Sequence, residues 1–455
     1  MTFTADSLLE QLSGFPPGSK FVVAYSGGLD SCVLLHAMHH VLTISAAAYG
    51  GAPVYALRAI HVNHALSPNA GQWQQLCEQT CAHLGIALHT EQVTLDADAA
   101  NLESRAREER YGVFERQLQA DECLLMAHHL DDQAETFLLR SLRGAGPRGL
   151  SSMPVQRPLG KGMLFRPLLQ VPRAHLKAYA EQQSLAWVED ESNQSLHFDR
   201  NFIRHNVLPK IASRWPSYRE SWQRSAHLSA EADVLLDELA AIDYEQLKAL
   251  VPTIIDASKL QQLSLPRQRN TLRYWLALAG APDPGWNVLT HIVDELIPAS
   301  SDSQPEIRWQ ADMMSVVLRR YRNKLYLQKV LAGIAEAAPI AWQAKQLLHL
   351  PSNGLLYAIA QEGDGLLVED STALNLRYRQ GGESCKLHGR RTRPLKKVLQ
   401  DADIAPWLRD RLPLVYLGDE LVCVPGVGVC DGWRARGKQA GWQIIWVPPD
   451  ATPEH

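Results

Sequence analysis

The chain of 455 residues has seven cysteines and no C-x-x-C pair among them; Cys77 and Cys81 come nearest, with three residues between. An odd, unpatterned set excludes a disulfide framework or a zinc ribbon and fits reduced thiols. Positive charge is not in excess: 45 Lys and Arg stand against 49 Asp and Glu, a formal net charge of -4, so no global basic field signals a polyanion partner. Long apolar runs are missing too. The stretch 41–57 lacks charge, but Gly50, Gly51 and Pro53 interrupt it, which makes it a poor membrane span. The opening MTFTADSLLEQL has no basic region ahead of an apolar core, so no secretory signal is expected and the reading is cytoplasmic, with no membrane partner. No Gly-Lys-Ser/Thr follows a glycine loop, which excludes a Walker A site. There is no internal repeat. A chain of this length is expected to form two to four domains, each with a core of its own.

What is present centres on Phe21 to Ser31, FVVAYSGGLDS. A short run of β-type residues ends at Tyr25, and apolar residues at helical spacing (Val33, Leu34, Leu35, Ala37, Met38) begin after Ser31. That pattern predicts strand, tight loop, helix. Gly27 and Gly28 let the backbone turn sharply and approach a ligand, while Ser26, Ser31 and the free amides of the helix start supply donors to an anion. The loop is a candidate phosphate site. SGGxDS resembles the loop of the N-type ATP pyrophosphatases, which cleave ATP between its α- and β-phosphates and adenylate an acceptor.

Strands and helices then alternate. Val54 to Val62, Ile86 to Val93 and Cys123 to Ala127 read as strands; Asn69 to Leu84, Asn101 to Leu118 and Asp131 to Leu142 read as helices. This predicts an open parallel α/β sheet whose ligand lies beyond the carboxyl ends of the strands. Tyr25, the segment His61–His64 and the pair His128–His129 all fall at such ends, so three separated segments should converge on one pocket. Gly144 to Pro172, rich in Gly, Pro and Arg, reads as a loop across the pocket mouth. From 225 to about 300 the spacing is helical, Trp309 to Lys329 alternates like strands, 343–369 reads as a short β linker, and 374–446 mixes strands with a basic helix near Leu395.

In AHHLDDQAET, Asp132, Glu135 and Thr136 share one helix face. Acids in a first turn are often only partners of the helix dipole. Here they stand where a nucleotide would lie, and ATP brings a divalent cation held by one or two carboxylates. Asp30 and Asp132 are the candidates for Mg2+. His61, His64, His128 and His129 do not match common zinc spacing and read as hydrogen-bonding groups for phosphate or base. In SRAREERY, Arg105, Arg107 and Arg110 either form a solvated, salt-bridged face or send an arginine to the charge developing on pyrophosphate.

Two basic stretches stand out. One, 200–224, holds Arg200, Arg204, Lys210, Arg214, Arg219 and Arg224 against Glu220 alone, with Phe202, Trp215, Tyr218 and Trp222 between them. The other, 377–411, includes GRRTRPLKK. Cations for phosphates interleaved with aromatic faces for unstacked bases point to nucleic acid.

SGGLDS, HVNHAL, SRAREERY, AHHLDDQAETFLLRSLRGAGPRGL, RPLL, EDESN and RNFIRHNVLP stand in the order of the tRNA(Ile)-lysidine synthases, and YRQGGESCKLHGR, LKKVLQD and PWLRDRLPLVYLGDELVCVPG resemble that family's last domain. The resemblance implies a Rossmann-like pyrophosphatase domain over 1–220, a mainly helical substrate and tRNA-binding domain over 221–340, a linker over 341–369 and a small mixed α/β tRNA-binding domain over 370–455. It implies ligation of L-lysine to the wobble cytidine of a CAU-anticodon isoleucine tRNA at the expense of ATP, with Mg2+ as cofactor. Carried onto matching positions, Ser26, Gly27, Gly28, Leu29, Asp30 and Ser31 bind ATP, joined by His61, Asn63 and His64. Asp30, Asp132, His128 and Glu135 belong to the catalytic cluster, with Arg107 or Arg110 as a cation for the transition state. Arg200, Arg204, Arg390, Arg391, Arg393, Lys396 and Lys397 are the expected tRNA contacts. The chain departs from the family at Ser67, where arginine is more usual, and a homodimer is left open. A thiolation enzyme of the same superfamily is disfavoured by the lack of C-x-x-C, a small-molecule amidotransferase by the lack of a glutaminase module, and a mere nucleotide sensor by the intact loop and acid cluster.

Overall fold

The computed structural model describes residues 2–48, 54–65, 67–94, 102–189, 191, 196, 198–299, 305–311, 314–330 and 339–449. It divides into two compact units, Met1–Leu235 and Leu236–His455.

In the first unit the strands β1 (Lys20–Ala24), β2 (Ala56–Asn63), β3 (Ala87–Gln92), β4 (Glu122–Leu125), β5 (Gln156–Leu159) and β6 (Gly162–Phe165) form one sheet in the order β3-β2-β1-β4-β6-β5. All pairings are parallel except the edge pair β5–β6. The connecting helices are α1 (Ala5–Leu12), α2 (Leu29–Ala48), α3 (Ala70–Leu84), α4 (Leu102–Gln117), α5 (Leu130–Leu142), α6 (Pro147–Leu150) and α7 (Arg173–Gln182). The unbroken apolar run in β1 follows from burial on both faces. Phe21 and Val23 enter a core with Leu8 of α1, Leu34 of α2 and Leu176 of α7. Val22 enters a second core with Val113 and Phe114 of α4 and Leu164 of β6.

The chain turns from β1 outward to β2 and β3, then returns past β1 to β4. The strand order therefore reverses between β1 and β4, and the loops leaving these neighbours open a crevice at their carboxyl ends. SGGLDS leaves β1 and AHHLDD leaves β4, so the topology alone brings the two motifs together.

The stretch Gly144 to Pro172, expected as a loop, instead contains the β5–β6 hairpin, which extends the sheet beside β4. Its strands have four residues each, too short for an alternation to show, and the turn is made by Gly160 and Lys161. Gly160 has φ +54, and a side chain there would meet the Glu115 carbonyl oxygen at 2.9 Å. Only glycine fits both demands.

The second unit begins within the helix Tyr218–Leu247 and continues with helices including Leu265–Leu278 and Gly285–His291. They pack on a four-stranded antiparallel sheet of Ile254–Asp256, Lys324–Lys329, Met314–Tyr321 and Glu306–Ala311 around the buried Trp275. Residues 341–369, expected as a linker, are structural. Ile340–Trp342 pairs with Leu374–Arg377, and Gly354–Glu362 pairs along its length with Ala440–Val447. These strands belong to two further sheets that carry the helix Leu395–Asp401. The β character was legible, but the pairing was not, because the partner strands lie far along the chain. All seven cysteines are buried free thiols. Among the described residues, no helix is long and apolar enough to cross a membrane.

Candidate active site

At the carboxyl end of β1 the backbone turns through Ser26 to Gly28, and α2 starts at Leu29, four residues before Val33, where the apolar spacing begins. The amides of Leu29, Asp30 and Ser31 thus lie in a helix first turn, where backbone donors have no intrahelical partner and attract anions. The hydroxyls of Ser26 and Ser31 face each other at 3.1 Å, and Ser31 donates to the Gly28 carbonyl at 2.9 Å. Gly27 has φ +83, and a Cβ on it would lie 2.9 Å from Cys77 Sγ. The Val188 amide donates to the Gly27 carbonyl at 3.0 Å and fixes the loop from the far end of the domain.

His129 caps α5 at the end of β4. The Asp132 amide donates to His129 Nδ1 at 3.3 Å, and the His129 amide donates to Asp132 Oδ2 at 3.0 Å, a capping box with imidazole in place of the usual hydroxyl. The ring Nε2 then faces Asp30 Oδ2 at 3.6 Å. His129 joins the two loops.

Arg200 and Arg204 were expected at the RNA face. Their guanidiniums are instead held by the acids of α5. Arg200 reaches Glu135 at 2.7 Å and Asp132 at 2.9 Å; Arg204 reaches Glu135 at 2.6 Å and Asp132 at 3.3 Å. Glu135 is 1% exposed, so its charge is neutralised by these two cations. Burial alone would raise the Asp132 carboxyl, but His129, Arg200 and His128 hold it well below the usual range. Asp131 pairs with Arg219 at 2.5 Å.

His128 stands beside this cluster. Arg166, buried just past the end of β6, donates from Nε to His128 Nδ1 at 3.3 Å and from Nη1 to the Pro154 carbonyl at 2.7 Å. Arginine can only donate, so neutral His128 carries its proton on Nε2. Burial, with Arg166, Arg200 and Arg107 against the single opposing Asp132, lowers its pKa to about 3. Arg166 was visible in the sequence only as part of RPLL; a lone cation inside the apolar run FRPLL was the signal of a buried, functional charge.

Arg107 and Arg110 of α4, the candidate cations for the transition state, separate. Arg110 Nε donates to His64 Nε2 at 3.3 Å, and Arg107 lies over the Tyr111 ring at 5.0 Å with its charge felt at His128. Burial first, then Arg110 and His61, lowers His64 to about 4. His61 Nδ1 donates to the Tyr25 carbonyl at 2.9 Å and ties β2 to β1. Asn63 is occupied in shaping its own loop, donating to Gln74 and accepting from the Ala65 amide, both at 2.9 Å. Ser67 accepts the Asn69 amide at 3.1 Å ahead of α3. Of EDESN, Asp190, Ser192 and Asn193 lie outside the described residues.

In the second unit, Arg390, Arg391, Arg393, Lys396 and Lys397 are all exposed. Leu395, Val398 and Leu399 bury one side of the helix and leave its lysines in solvent. Arg393 pairs with Asp401 at 2.9 Å. Among the described residues the other four have no carboxylate partner.

Residues 2–211 match the PP-loop domain, 255–326 the TilS substrate binding domain and 374–446 the TilS substrate C-terminal domain. The tRNA(Ile)-lysidine synthase of Coxiella burnetii is 41% identical over 451 residues, covering 98% of this chain and 97% of its own. The chain belongs to the tRNA(Ile)-lysidine synthase family. The lysidine synthase of Alkalilimnicola ehrlichii is 40% identical over 447 residues (97% of this chain, 96% of that one), and that of Pseudomonas aeruginosa 39% over 464 residues (98% and 97%). Lysidine synthase membership makes the chain an ATP-using ligase that forms a C–N bond. The serine-glycine loop and the acid cluster both fall within the PP-loop match, and the exposed cations 390–397 within the C-terminal one.

Proposed function

We propose that this chain joins L-lysine to C2 of the wobble cytidine of the isoleucine tRNA with a CAU anticodon. The product reads AUA and carries isoleucine identity in place of AUG and methionine. The observation that carries the reading is the meeting of SGGLDS with HHLDD at the sheet's switch point, Asp30 against His129, in a chain colinear with lysidine synthases.

In the first step the C2 oxygen of cytosine attacks the α-phosphorus of ATP and the bond to pyrophosphate breaks. In the second the lysine ε-amine attacks C2 and AMP leaves with the oxygen. Ser26 to Ser31 hold the phosphates, and Arg107, whose charge is felt at His128, offers a cation for the charge that develops on the departing pyrophosphate. His128, with its proton on Nε2, is a hydrogen-bond donor to a phosphoryl or C2 oxygen and not a base. Arg110, His61, Asn63 and His64 order the loop after β2 that walls the nucleotide.

Mg2+ fits Asp30, whose Oδ1 is buried without a hydrogen-bond partner and faces the Arg173 guanidinium at 3.7 Å. Asp132 offers less, since Arg200 and Arg204 occupy Oδ1 and the His129 amide takes Oδ2. The ion would supply charge neutralisation across the phosphates.

L-lysine brings an α-carboxylate and an α-ammonium. The cluster of Asp132, Glu135, Arg200 and Arg204 presents both signs in one place and suits that zwitterion, leaving the ε-amine to reach C2. The amine, with an unperturbed pKa of about 10.4, must give up a proton at neutral pH at a cost of about 4.6 kcal/mol, which a desolvated pocket lowers.

In this reading 1–220 performs the chemistry, 221–340 contributes to substrate binding, and 370–455 holds the tRNA through Arg390, Arg391, Arg393, Lys396 and Lys397, with the strands of 341–369 built into its sheets. The substrate is met in the cytoplasm, and sedimentation equilibrium decides between monomer and homodimer. The test is incorporation of labelled lysine into unmodified isoleucine tRNA with ATP and Mg2+. Acid-stable label that requires ATP supports the reading. Pyrophosphate exchange without incorporation would remove it and leave an ATP pyrophosphatase with another acceptor.

A further inference from the structure

Between the helix Leu208–Arg214 and the start of the helix Tyr218–Leu247 lies a cleft of about 600 Å3, lined by Arg214, Trp215, Tyr218 and Trp222. Its size is that of a small-ligand site. None of the chemistry described above uses it. Trp215 is 62% exposed, although indole is among the most costly side chains to leave in water. Its amide donates to the Ile211 carbonyl at 2.8 Å and its carbonyl accepts from Tyr218 at 3.1 Å, so the backbone presents the ring from a fixed turn. The Arg214 guanidinium lies 5.9 Å from the ring centroid. The floor is a stack of aromatics: Tyr218 meets Trp222 edge-on at 5.1 Å, and Trp222 stacks on Phe137 of α5 at 5.7 Å and 26°. Phe137 stands five residues, about 7.5 Å of helix rise, beyond Asp132. One helix thus carries both the acid cluster and the ring that backs Trp222 in the cleft. Lys210, Arg214 and Arg224 are exposed and, among the described residues, have no carboxylate partner.

A flat exposed ring, a cation above it and unneutralised charge around it make the arrangement that takes an unstacked nucleobase with its phosphates. We infer that this cleft holds a base of the tRNA anticodon loop next to the wobble position, with Trp215 as its stacking face. The inference rests on the tRNA reading above. Splaying the wobble base into the site unstacks its neighbour, and the shelf supplies a substitute stack.

The test is a cycle with full-length protein: wild type, Trp215→Ala and Trp215→Phe, each titrated with unmodified isoleucine tRNA and with transcripts made abasic at single anticodon-loop positions. Trp215→Ala is expected to weaken binding of the intact transcript roughly 5- to 150-fold, the range for one lost base–aromatic stack, and Trp215→Phe to keep most of the affinity. One abasic transcript beside the wobble position should bind wild type as weakly, and Trp215→Ala should add no further loss there. An equal loss with every abasic transcript, or no loss at all, overturns the inference. So does a change confined to sedimentation of the protein alone, which would mark the cleft as a contact between two copies. Wild-type protein that binds the transcripts without incorporating lysine would remove the proposed function while leaving the cycle readable.

Discussion

Arg166 donates to Nδ1 of His128 at 3.3 Å, and that one bond sets what the imidazole can do. His128 has its folded pKa lowered to about 3, so below about pH 6.5 the unfolded chain takes up a proton that the folded chain refuses. Its contribution to stability is present above pH 6.5 and is lost as pH falls toward 3. His128→Asn should therefore remove about 2 kcal/mol of the stability difference between pH 7.5 and pH 5, read from urea midpoints of the two proteins at both values. An unchanged difference would mean that His128 is charged in the folded protein.

Glu135→Ala leaves Arg200 and Arg204 facing each other with Asp132 as their remaining acid. Truncating one partner of a buried ion cluster costs about 3–5 kcal/mol. Denaturant unfolding should show a loss of that order, and the KM for lysine should rise more than the KM for ATP.

Gly27→Ala forces a side chain onto φ +83 and against Cys77 Sγ. Equilibrium dialysis should show ATP affinity reduced by at least about tenfold, with the fold retained by circular dichroism. Cys77→Ala added to it should restore only part, because the backbone strain remains.

Asp30→Asn removes the carboxylate whose Oδ1 has no hydrogen-bond partner. AMP formation in the presence of tRNA, lysine and ATP should fall by about 100-fold or more, and the Mg2+ dependence should move to higher concentration, with tRNA affinity unchanged. Equal loss of tRNA binding would place Asp30 outside the phosphate site.

The surface cations separate by their partners. Replacing Arg390, Arg391 and Lys396 together by alanine should flatten the slope of log affinity against log salt by about 2 to 3. Arg393→Ala should change it less, since Asp401 already neutralises that guanidinium. A slope unaffected by the triple change would remove this face from the tRNA contact.

The parts of the site that depend on local rules were legible. The FVVAY run, the glycine pair and the helix-spaced acids of α5 each follow from neighbours within a few residues, and alternating strands predicted where their ends would meet. Residues 200–204 were harder. Arginines beside Phe202 carry the composition of an RNA face, and nothing local says that two of them turn inward to acids some 65 to 70 residues earlier. The same limit hid the β5–β6 hairpin and the pairing of Gly354–Glu362 with Ala440–Val447. Long-range pairing is set by complementary surfaces that no single stretch displays.

The hydrogen bond from Val188 to Gly27 has a consequence in time. Its two ends are separated by about 160 residues of chain, a stretch that takes a ribosome roughly 10–30 s to make. Until that stretch has emerged the serine-glycine loop lacks its brace, so a nascent or truncated chain cannot finish the nucleotide cradle. ATP binding becomes a late event in the birth of the domain, and an interrupted product is denied a working site from which to consume ATP.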